Sequence, residues 1–595
     1  MSIATTHTKI ADRRGTKPTP AKKAGKKARK PAGLQRWMLS VLDECDRAAE
    51  NFSADPVHDL RVALRRCRSM ADGLIAIDPD PDWKKMKKAG KRLFQRLGAL
   101  RDTQVMMEWI EKLYPAETRE EDKASMARAA SPATAEIVDQ AYDKESVEAS
   151  AEPASEIKSE EIYRAETQQI NPAGIPQDSP ANSLRQILRV REAEQKIEAR
   201  AALAEFDRKE WRQWSKTLPR RAARIRLGSA LFKHLALERW TLARDLHNRA
   251  LRNRSQVALH TLRIGIKRLR YIVENFLPDE HKAWSRDLKE VQDWLGEVHD
   301  LDVLWATALT CHIFPDEDSR TGWHARILEE RNKREEAYRK KMVGPDSCWS
   351  VWRAGLPQGQ QVRDLGLRRI QLWAKSLDPD YAHAERVSRM AVELFDGLVA
   401  TKLFELPGGI DARSCLRVAA LLHDVGKSEA GKGHHKASCE MIRACTAPLG
   451  WSVEDLHRAA IVARFHHGAL PTGSHKLLRD LFPQDLKLTI QLAAVLRLAN
   501  AFDTEHDGHI RRVKVENIPA VMKDRKRPAD GLPRKIVGLA KNEALVISAE
   551  GYSASSPTAQ TIAAERYLLE TVLKRPVVVK AASIRVAARV LRTAS

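Results

Sequence analysis

The sequence has no CxxC pair, no long apolar run and no apolar segment at its start. Its seven cysteines are scattered along 595 residues, which argues against a disulfide scaffold and fits a reducing compartment. No apolar run reaches about 18 residues without a charge, so no membrane span is expected. The opening residues, MSIATTHTKIADRRG, lack the apolar core of a signal peptide. These absences predict a soluble, cytoplasmic protein with no membrane partner.

Positive charge is what the sequence has in excess. Lys and Arg number 102 against 79 Asp and Glu, which gives a net charge of +23. Such an excess favours a polyanionic partner, either nucleic acid, anionic lipid or polyphosphate. Hydrophobic residues make up 43% of the chain, enough for a sizeable core, and the length predicts several domains.

Composition and periodicity divide the chain into segments. The basic start and an acidic, proline-containing stretch cannot bury a core and are predicted to be disordered. Apolar residues recur at helical spacing elsewhere, and β-rich segments appear only near the end. The predicted domains are a basic tail at 1–31, a helical body at 32–342 with a disordered acidic insertion at 131–180, a linker at 343–361, a helical domain at 362–510 and a small α/β subdomain at 511–595.

The fold class that follows is mainly α. In the α/β subdomain a helix is expected at 559–573, between the last two of its strands. The strands are predicted at 512–515, 536–539, 544–548 and 577–579.

One basic segment occurs twice. VHDLRVALRRCRS at 57–69 matches LHTLRIGIKRLRY at 259–271. On a helix with about 100° per residue, His58, Arg61, Arg65 and Arg68 form one narrow stripe, and His260, Arg263, Lys267 and Arg270 repeat it. Like charges on a stripe repel one another, and a polyanion relieves that repulsion because the planar fork of Arg binds phosphate oxygens. A merely solvated basic face is the alternative. Aromatic residues are not interleaved with the stripes, which weakens a base-stacking interpretation.

A second matched pair follows each copy, LGALRD at 97–102 and LGEVHD at 295–300. With these motifs the sequence resembles the CHAD family, the conserved-histidine α-helical domain, over about 34–330. The resemblance implies a pair of four-helix units around a basic channel that binds inorganic polyphosphate. The polyphosphate-binding residues that it implies are His58, Arg61, Arg65, Arg66, Arg68, His260, Arg263, Lys267, Arg268 and Arg270.

Histidine and aspartate cluster in the second half. The pattern runs from HAERV at 383–387 through LLHDVGK at 421–427, GHHK at 433–436 and FHH at 465–467 to LANAFD at 498–503. Mixed imidazole and carboxylate ligands suit Zn²⁺, Mn²⁺ or Fe, and a bound metal would polarise a phosphoryl group. Lys427 follows the His-Asp pair closely enough to contact a phosphate.

This series resembles the HD superfamily of metal-dependent phosphohydrolases. The likeness is greatest to the helical C-terminal region of the exopolyphosphatase and guanosine-pentaphosphatase family, over about 365–590. The resemblance implies a divalent metal, with Mn, Fe, Zn and Mg all open, and catalytic roles for Asp424 and Lys427. The predicted metal ligands are His383, His423, Asp424, His435, His466 and Asp503.

The sequence departs from that family at two points. The Asp that closes the HD pattern is replaced by Asn500, whose amide offers an oxygen but no charge. The nucleotide-binding-type domain in which that family does its chemistry is replaced by the CHAD-like body. Membership of the family therefore does not by itself transfer its activity.

Three functions stay open on the sequence alone. The first is a polyphosphate-binding protein whose HD-type half hydrolyses polyphosphate or a nucleotide. The second is a scaffold of polyphosphate granules that has no catalytic activity and keeps a vestigial HD site, which Asn500 favours. The third is a nucleic-acid-binding protein, which the basic tail favours.

Overall fold

The computed structural model describes residues 33–115, 179–253, 255–404, 406–479, 481–516 and 544–582. The basic tail at 1–31, nearly all of the acidic insertion at 131–180 and the strand predicted at 536–539 lie outside these residues. The prediction of a mainly α fold is confirmed, because helices dominate the described chain and its strands form one small sheet.

Helices of the first body fall into two similar sets. In each set the helix that carries the basic motif, α2 or α8, packs against the helix before it. Proline opens α3, α5 and α9, where its missing N–H costs no hydrogen bond. The helices are α1 (Gly33–Asn51), α2 (Ala54–Ile75), α3 (Pro81–Arg96), α4 (Gly98–Leu113), α5 (Pro180–Glu205), α6 (Arg208–Ala222), α7 (Ala230–Asn253), α8 (Gln256–Phe276), α9 (Pro278–Thr310) and α10 (Glu317–Met342).

The linker predicted at 343–361 contains a helix, α11 (Cys348–Ala354). Trp349 and Trp352 on this helix are fully buried in the core of the first body. Burying two indoles removes a large apolar area from water, so this segment belongs to the first body and is not a solvated connection.

The second body has its own apolar core, formed where the helix faces meet. A 3-10 turn at Val425–Ser428 follows α14, and several of the helices end close together on one side of this core. The helices are α12 (Gln360–Leu377), α13 (Tyr381–Ala400), α14 (Ala412–Leu422), α15 (His434–Ala444), α16 (Val453–Arg464), α17 (Lys476–Arg479) and α18 (Pro483–Ala501).

A three-stranded sheet closes the described chain. β1 (Arg512–Glu516) pairs antiparallel with β2 (Leu545–Glu550), and β2 pairs parallel with β3 (Val577–Ala581). The parallel pair needs a crossover connection, which α19 (Pro557–Glu565) and α20 (Tyr567–Leu573) provide. The predicted strand–helix–strand order is thus confirmed at the end of the chain, with two short helices in place of one.

The two bodies touch through α12. Arg369 on this helix forms an ion pair with Glu238 on α7. The same Glu238 carboxylate accepts a hydrogen bond from Leu449 N at 2.8 Å, and Nε2 of His234 lies 3.0 Å from Leu449 O. These buried polar contacts fix the start of the second body against the first.

Candidate metal centre and the basic helices

Four helix ends meet at the centre of the second body. His383 lies in the first turn of α13, His423 and Asp424 follow α14, His434 opens α15 and His466 follows α16. Two groups of ligand atoms result, each within 4.8 Å, and Asp424 belongs to both. The first group is His383, His423 and Asp424, and the second is Asp424, His434 and His466.

Backbone carbonyls orient two of the imidazoles. Nδ1 of His423 lies 2.7 Å from Ala420 O, and Nδ1 of His466 lies 2.7 Å from Ala463 O. An N–H at Nδ1 that donates to a carbonyl leaves the lone pair on Nε2, the atom that faces Asp424. This is the tautomer that a metal requires.

Asp424 lies among cationic and imidazole groups. Its Oδ1 is 3.3 Å from Nε2 of His434 and 3.6 Å from Nε2 of His466, and its Oδ2 is 3.4 Å from Nε2 of His423 and 2.5 Å from Nζ of Lys427. Burial acts to raise the pKa of Asp424, but His423, His466 and Lys427 outweigh it and hold the pKa below its ordinary value. The carboxylate is therefore ionised at neutral pH.

The donor set fits a divalent metal. Within the described residues, Oδ1 of Asp424 and Nε2 of His423 are buried without a hydrogen-bond partner. Such unpaired atoms cost free energy unless another group, such as a cation, satisfies them. Burial also lowers the pKa of His423 and of His466, so both rings are neutral and can act as ligands.

His383 is held by a carboxylate that was predicted to be a ligand. Oδ2 of Asp503 lies 2.7 Å from Nδ1 of His383 and accepts a second hydrogen bond from Nε of Arg386 at 2.9 Å. Asp503 belongs to neither ligand group and instead orients the imidazole. The ring of His506 stacks on His383 at 3.9 Å and covers one of its faces. Oδ1 of Asn500 lies 3.0 Å from Nε2 of His383.

The two adjacent histidines of the GHHK motif lie differently with respect to the two ligand groups. His434 joins the second group, whereas His435 belongs to neither. Adjacent residues on a helix point about 100° apart, so only one of two consecutive histidines can face the centre. No periodic signal in so short a segment distinguishes the two histidines of the GHHK motif.

The basic stripes of the first body are not open surfaces. α2 and α8 pack against each other, and Nδ2 of Asn275 donates to Oγ of Ser69 at 2.8 Å across the contact. Arg66 pairs with Glu274, and the guanidinium of Arg65 lies 5.7 Å from the Tyr271 ring. His58, Arg66, His260 and Arg268 are half-buried. The other predicted polyphosphate-binding side chains are buried, namely Arg61, Arg65, Arg68, Arg263, Lys267 and Arg270.

The repeated LG pair lies beside an arginine of the basic motif in each copy. Arg61 donates from Nη1 to Leu97 O at 2.9 Å, and a Cβ added at Gly98 would lie 3.4 Å from that nitrogen. In the second copy a Cβ added at Gly296 would lie 3.9 Å from Nε of Arg263. Each copy therefore places an arginine of the motif next to the glycine of its LG pair.

Acidic and imidazole groups lie among these cations. Burial raises the pKa of Asp102 to about 7, with Asp300 adding to the effect and Arg61 opposing it. The rings of His260 and His299 face each other with their Nδ1 atoms 3.3 Å apart. Burial and the nearby Arg263 lower the pKa of His260 to about 4, so this pair is neutral at neutral pH.

Each half of the chain matches the model of a known protein family. The model for the CHAD domain matches residues 38–309, and the model for Ppx/GppA phosphatase, domain III, matches residues 362–527. The chain joins a CHAD domain to a Ppx/GppA phosphatase domain III. A search of curated proteins finds no match. Within the described residues, no helix has the length and apolar content needed to cross a membrane.

The two domains together indicate a polyphosphate-related phosphatase activity, with polyphosphate or nucleotide phosphates as substrates. Neither match supports the alternative of nucleic-acid binding. Domain III indicates a divalent metal, and the two groups that share Asp424 are the places where this chain can hold one.

Proposed function

We propose that the CHAD domain binds inorganic polyphosphate and that domain III is an HD-type, metal-dependent phosphohydrolase acting on a phosphoanhydride. The observation that carries this proposal is the position of Asp424, which is shared by two ligand groups whose imidazole Nε2 atoms converge on it. A carboxylate shared in this way suits two metal positions side by side, an arrangement used for phosphoryl transfer.

Two sets of residues would hold the metal. His383, His423 and Asp424 form the first, and Asp424, His434 and His466 form the second. Imidazole-rich sets favour Mn, Fe or Zn over Mg. A divalent metal supplies Lewis acidity there, because it polarises phosphoryl oxygens and neutralises their charge.

Lys427 is the protein's own cation at the centre. Its Nζ lies 2.5 Å from Oδ2 of Asp424, and its side chain is 29% exposed, so a phosphate arriving from solvent can reach it. In this proposal Lys427 binds a phosphoryl oxygen and stabilises the negative charge that develops during hydrolysis. Asp424 holds the ammonium in place before the substrate binds.

Buried cations support the polyphosphate role of the CHAD domain. Arg and Lys side chains are seldom buried unless charged partners accompany them. Here the two motif helices bring their cationic faces together, with Glu274 and Asp102 as acidic neighbours. A polyphosphate chain would compete with these carboxylates for the same guanidinium groups, and the ten residues of the two motifs would bind it.

The test is orthophosphate release from long-chain polyphosphate in the presence of Mn²⁺, with guanosine and adenosine nucleotides in parallel. Wild type should release phosphate, and Asp424→Ala should release none. Asp507→Ala is the matched control, because it removes an exposed carboxylate that forms an ion pair with the nearby His509. Absence of release by folded wild type from every one of these substrates would overturn the hydrolase proposal.

A second candidate function, the non-catalytic polyphosphate scaffold, is favoured by Asn500. An amide beside His383 supplies one charge fewer than the carboxylate expected there. If the scaffold is the true function, polyphosphate binding to the CHAD domain will persist in Asp424→Ala while neither protein releases phosphate.

A further inference from the structure

Asp378 is a buried carboxylate with one side fixed and the other unpaired. It follows the last residue of α12 and precedes Pro379, which prevents the helix from continuing. Its Oδ1 accepts a hydrogen bond from Asp380 N at 2.9 Å. Its Oδ2 has no hydrogen-bond partner within the described residues, although Asp378 is only 6% exposed.

Asp378 lies near Asp424, His423 and Lys427, which belong to the metal centre. Burial raises the pKa of this carboxyl, Asp424 raises it further, and the hydrogen bond from Asp380, His423 and Lys427 lower it. A buried carboxylate oxygen without a donor, set near a second carboxylate, carries a free-energy cost. Groups kept at such a cost cluster at functional sites.

Neither of the simpler roles accounts for Asp378. It belongs to neither ligand group, so it is not placed as a metal ligand. A role in capping the turn through Asp380 N needs only Oδ1, so it does not explain why the second oxygen, Oδ2, is present. What the unpaired oxygen lacks is a hydrogen-bond donor that arrives from outside the chain.

Helix α12 fixes the position of Asp378, because the helix is anchored at more than one point. Arg369 anchors the middle of the helix to Glu238 of the CHAD domain. Within the second body, α12 also packs on the 3-10 turn that carries Lys427. Asp378 thus lies at the end of a helix that is held at both the domain contact and the metal centre.

We propose that Oδ2 of Asp378 accepts a hydrogen bond from the water that attacks phosphorus and orients this water for attack. The inference rests on the proposed function of domain III. In the step, the water oxygen bonds to phosphorus, the bridging oxygen leaves with the electron pair of the broken P–O bond, and one proton is released to solvent. Asp378 contributes the orientation, and Asp424 and Lys427 contribute to the binding of the phosphoryl group.

The substitution Asp378→Asn tests this with little change of shape. Because Asp380 N requires an oxygen acceptor at Oδ1, the new amide must place its NH₂ group where Oδ2 stood. An acceptor is thereby replaced by a donor, and the water loses its orientation. Misplacement of a reacting group costs about 100-fold in rate. Glu429→Gln is the matched control, since Glu429 is an exposed carboxylate just after the same 3-10 turn.

For Asp378→Asn we expect kcat for phosphate release from polyphosphate to fall about 100-fold. The KM, and the Mn²⁺ affinity measured by calorimetry, should stay within about 3-fold of wild type. The melting temperature of the metal-free protein should be unchanged or higher, because an unpaired buried charge is removed. Asp378→Ala should be inactive and partly rescued by added formate, which no structural role would produce.

Three results would overturn the inference. An active wild type with an equally active Asp378→Asn would remove Asp378 from the reaction and leave the hydrolase proposal standing. Loss of Mn²⁺ affinity of more than 10-fold in Asp378→Asn would make Asp378 part of the metal shell instead. A wild type that binds Mn²⁺ but hydrolyses nothing would remove the proposed function and this inference together.

Discussion

Oδ1 of Asn500 lies 3.0 Å from Nε2 of His383, so an amide stands beside this imidazole where a carboxylate was expected. Nδ1 of His383 already faces the carboxylate of Asp503 at 2.7 Å. Nε2 and the amide oxygen are then two acceptors that face each other. A cation bound by both would remove this conflict, and a negative charge at position 500 would bind that cation more tightly.

Asn500→Asp is therefore expected to increase the affinity for Mn²⁺ by about 10-fold, because the added negative charge attracts the cation. This change corresponds to about 1.4 kcal/mol of binding free energy. Calorimetric titration of the metal-free protein measures it. Asn253→Asp, which adds the same charge at an exposed position of α7, should leave the affinity unchanged. Equal affinities for wild type and Asn500→Asp would remove Asn500 from the metal site.

The adjacent histidines of α15 give a sharper comparison. His434→Ala removes a member of the second ligand group, whereas His435→Ala removes a ring that lies in neither group. His434→Ala should lose one bound Mn²⁺ per chain, and His435→Ala should keep the full complement. Metal analysis after gel filtration distinguishes the two variants, and the reverse result would restore His435 as the ligand predicted from the sequence.

Gly426 sets the approach of α15 to the metal centre. A Cβ added there would lie 2.3 Å from His434 O and 2.4 Å from Ser438 N, both of them backbone atoms. Gly426→Ala must therefore displace α15 and its histidine, and we expect a lower melting temperature together with weaker Mn²⁺ binding. Gly431→Ala, whose added Cβ meets nothing within 4 Å, should match wild type in both measurements. Normal metal binding in Gly426→Ala would contradict the close packing seen here.

Asp102 predicts a pH dependence of stability in the CHAD domain. Its pKa is raised to about 7 in the folded protein, mainly by burial, from an ordinary value of 3.8. Between these values the folded state binds more protons than the unfolded state, so this group favours folding at low pH and the benefit is lost as pH rises through 7.

Asp102→Asn should accordingly melt a few °C higher than wild type at pH 8, where the buried carboxylate is ionised, and at the same temperature as wild type at pH 5, where it is protonated. Thermal melting of the metal-free protein at both pH values checks this. A gain of equal size at pH 5 and pH 8 would show that ionisation of Asp102 is not its cause.

Helix periodicity and internal repetition predicted much of the architecture. Apolar residues recur at helical spacing in α1, where Leu34, Met38 and Val41 are buried, and the two basic motifs lie on corresponding helices, α2 and α8. Both signals are local, because spacing along a helix decides which side chains share a face.

Features that depend on tertiary contacts could not be predicted from the sequence. Residue spacing groups the basic side chains on one stripe, but it does not show that Arg61 and Arg263 are buried, with Arg61 bonded to Leu97 O and Arg263 beside Gly296. The role of Asp503 depends on its 2.7 Å contact with His383, which lies 120 residues away in the chain. The helix in the predicted linker forms because Trp349 and Trp352 find a core supplied by distant helices. No sequence window contains both partners of such contacts.

Counting bound manganese tests the central claim that Asp424 joins two metal positions. Mn²⁺ titrated into metal-free wild type and Asp424→Asn is followed by calorimetry, with circular dichroism to show that both proteins are folded. The account predicts two Mn²⁺ per chain in wild type, spin-coupled in electron paramagnetic resonance, and loss of both in Asp424→Asn. Wild type that binds no Mn²⁺, or an Asp424→Asn protein that binds as much as wild type, would contradict it.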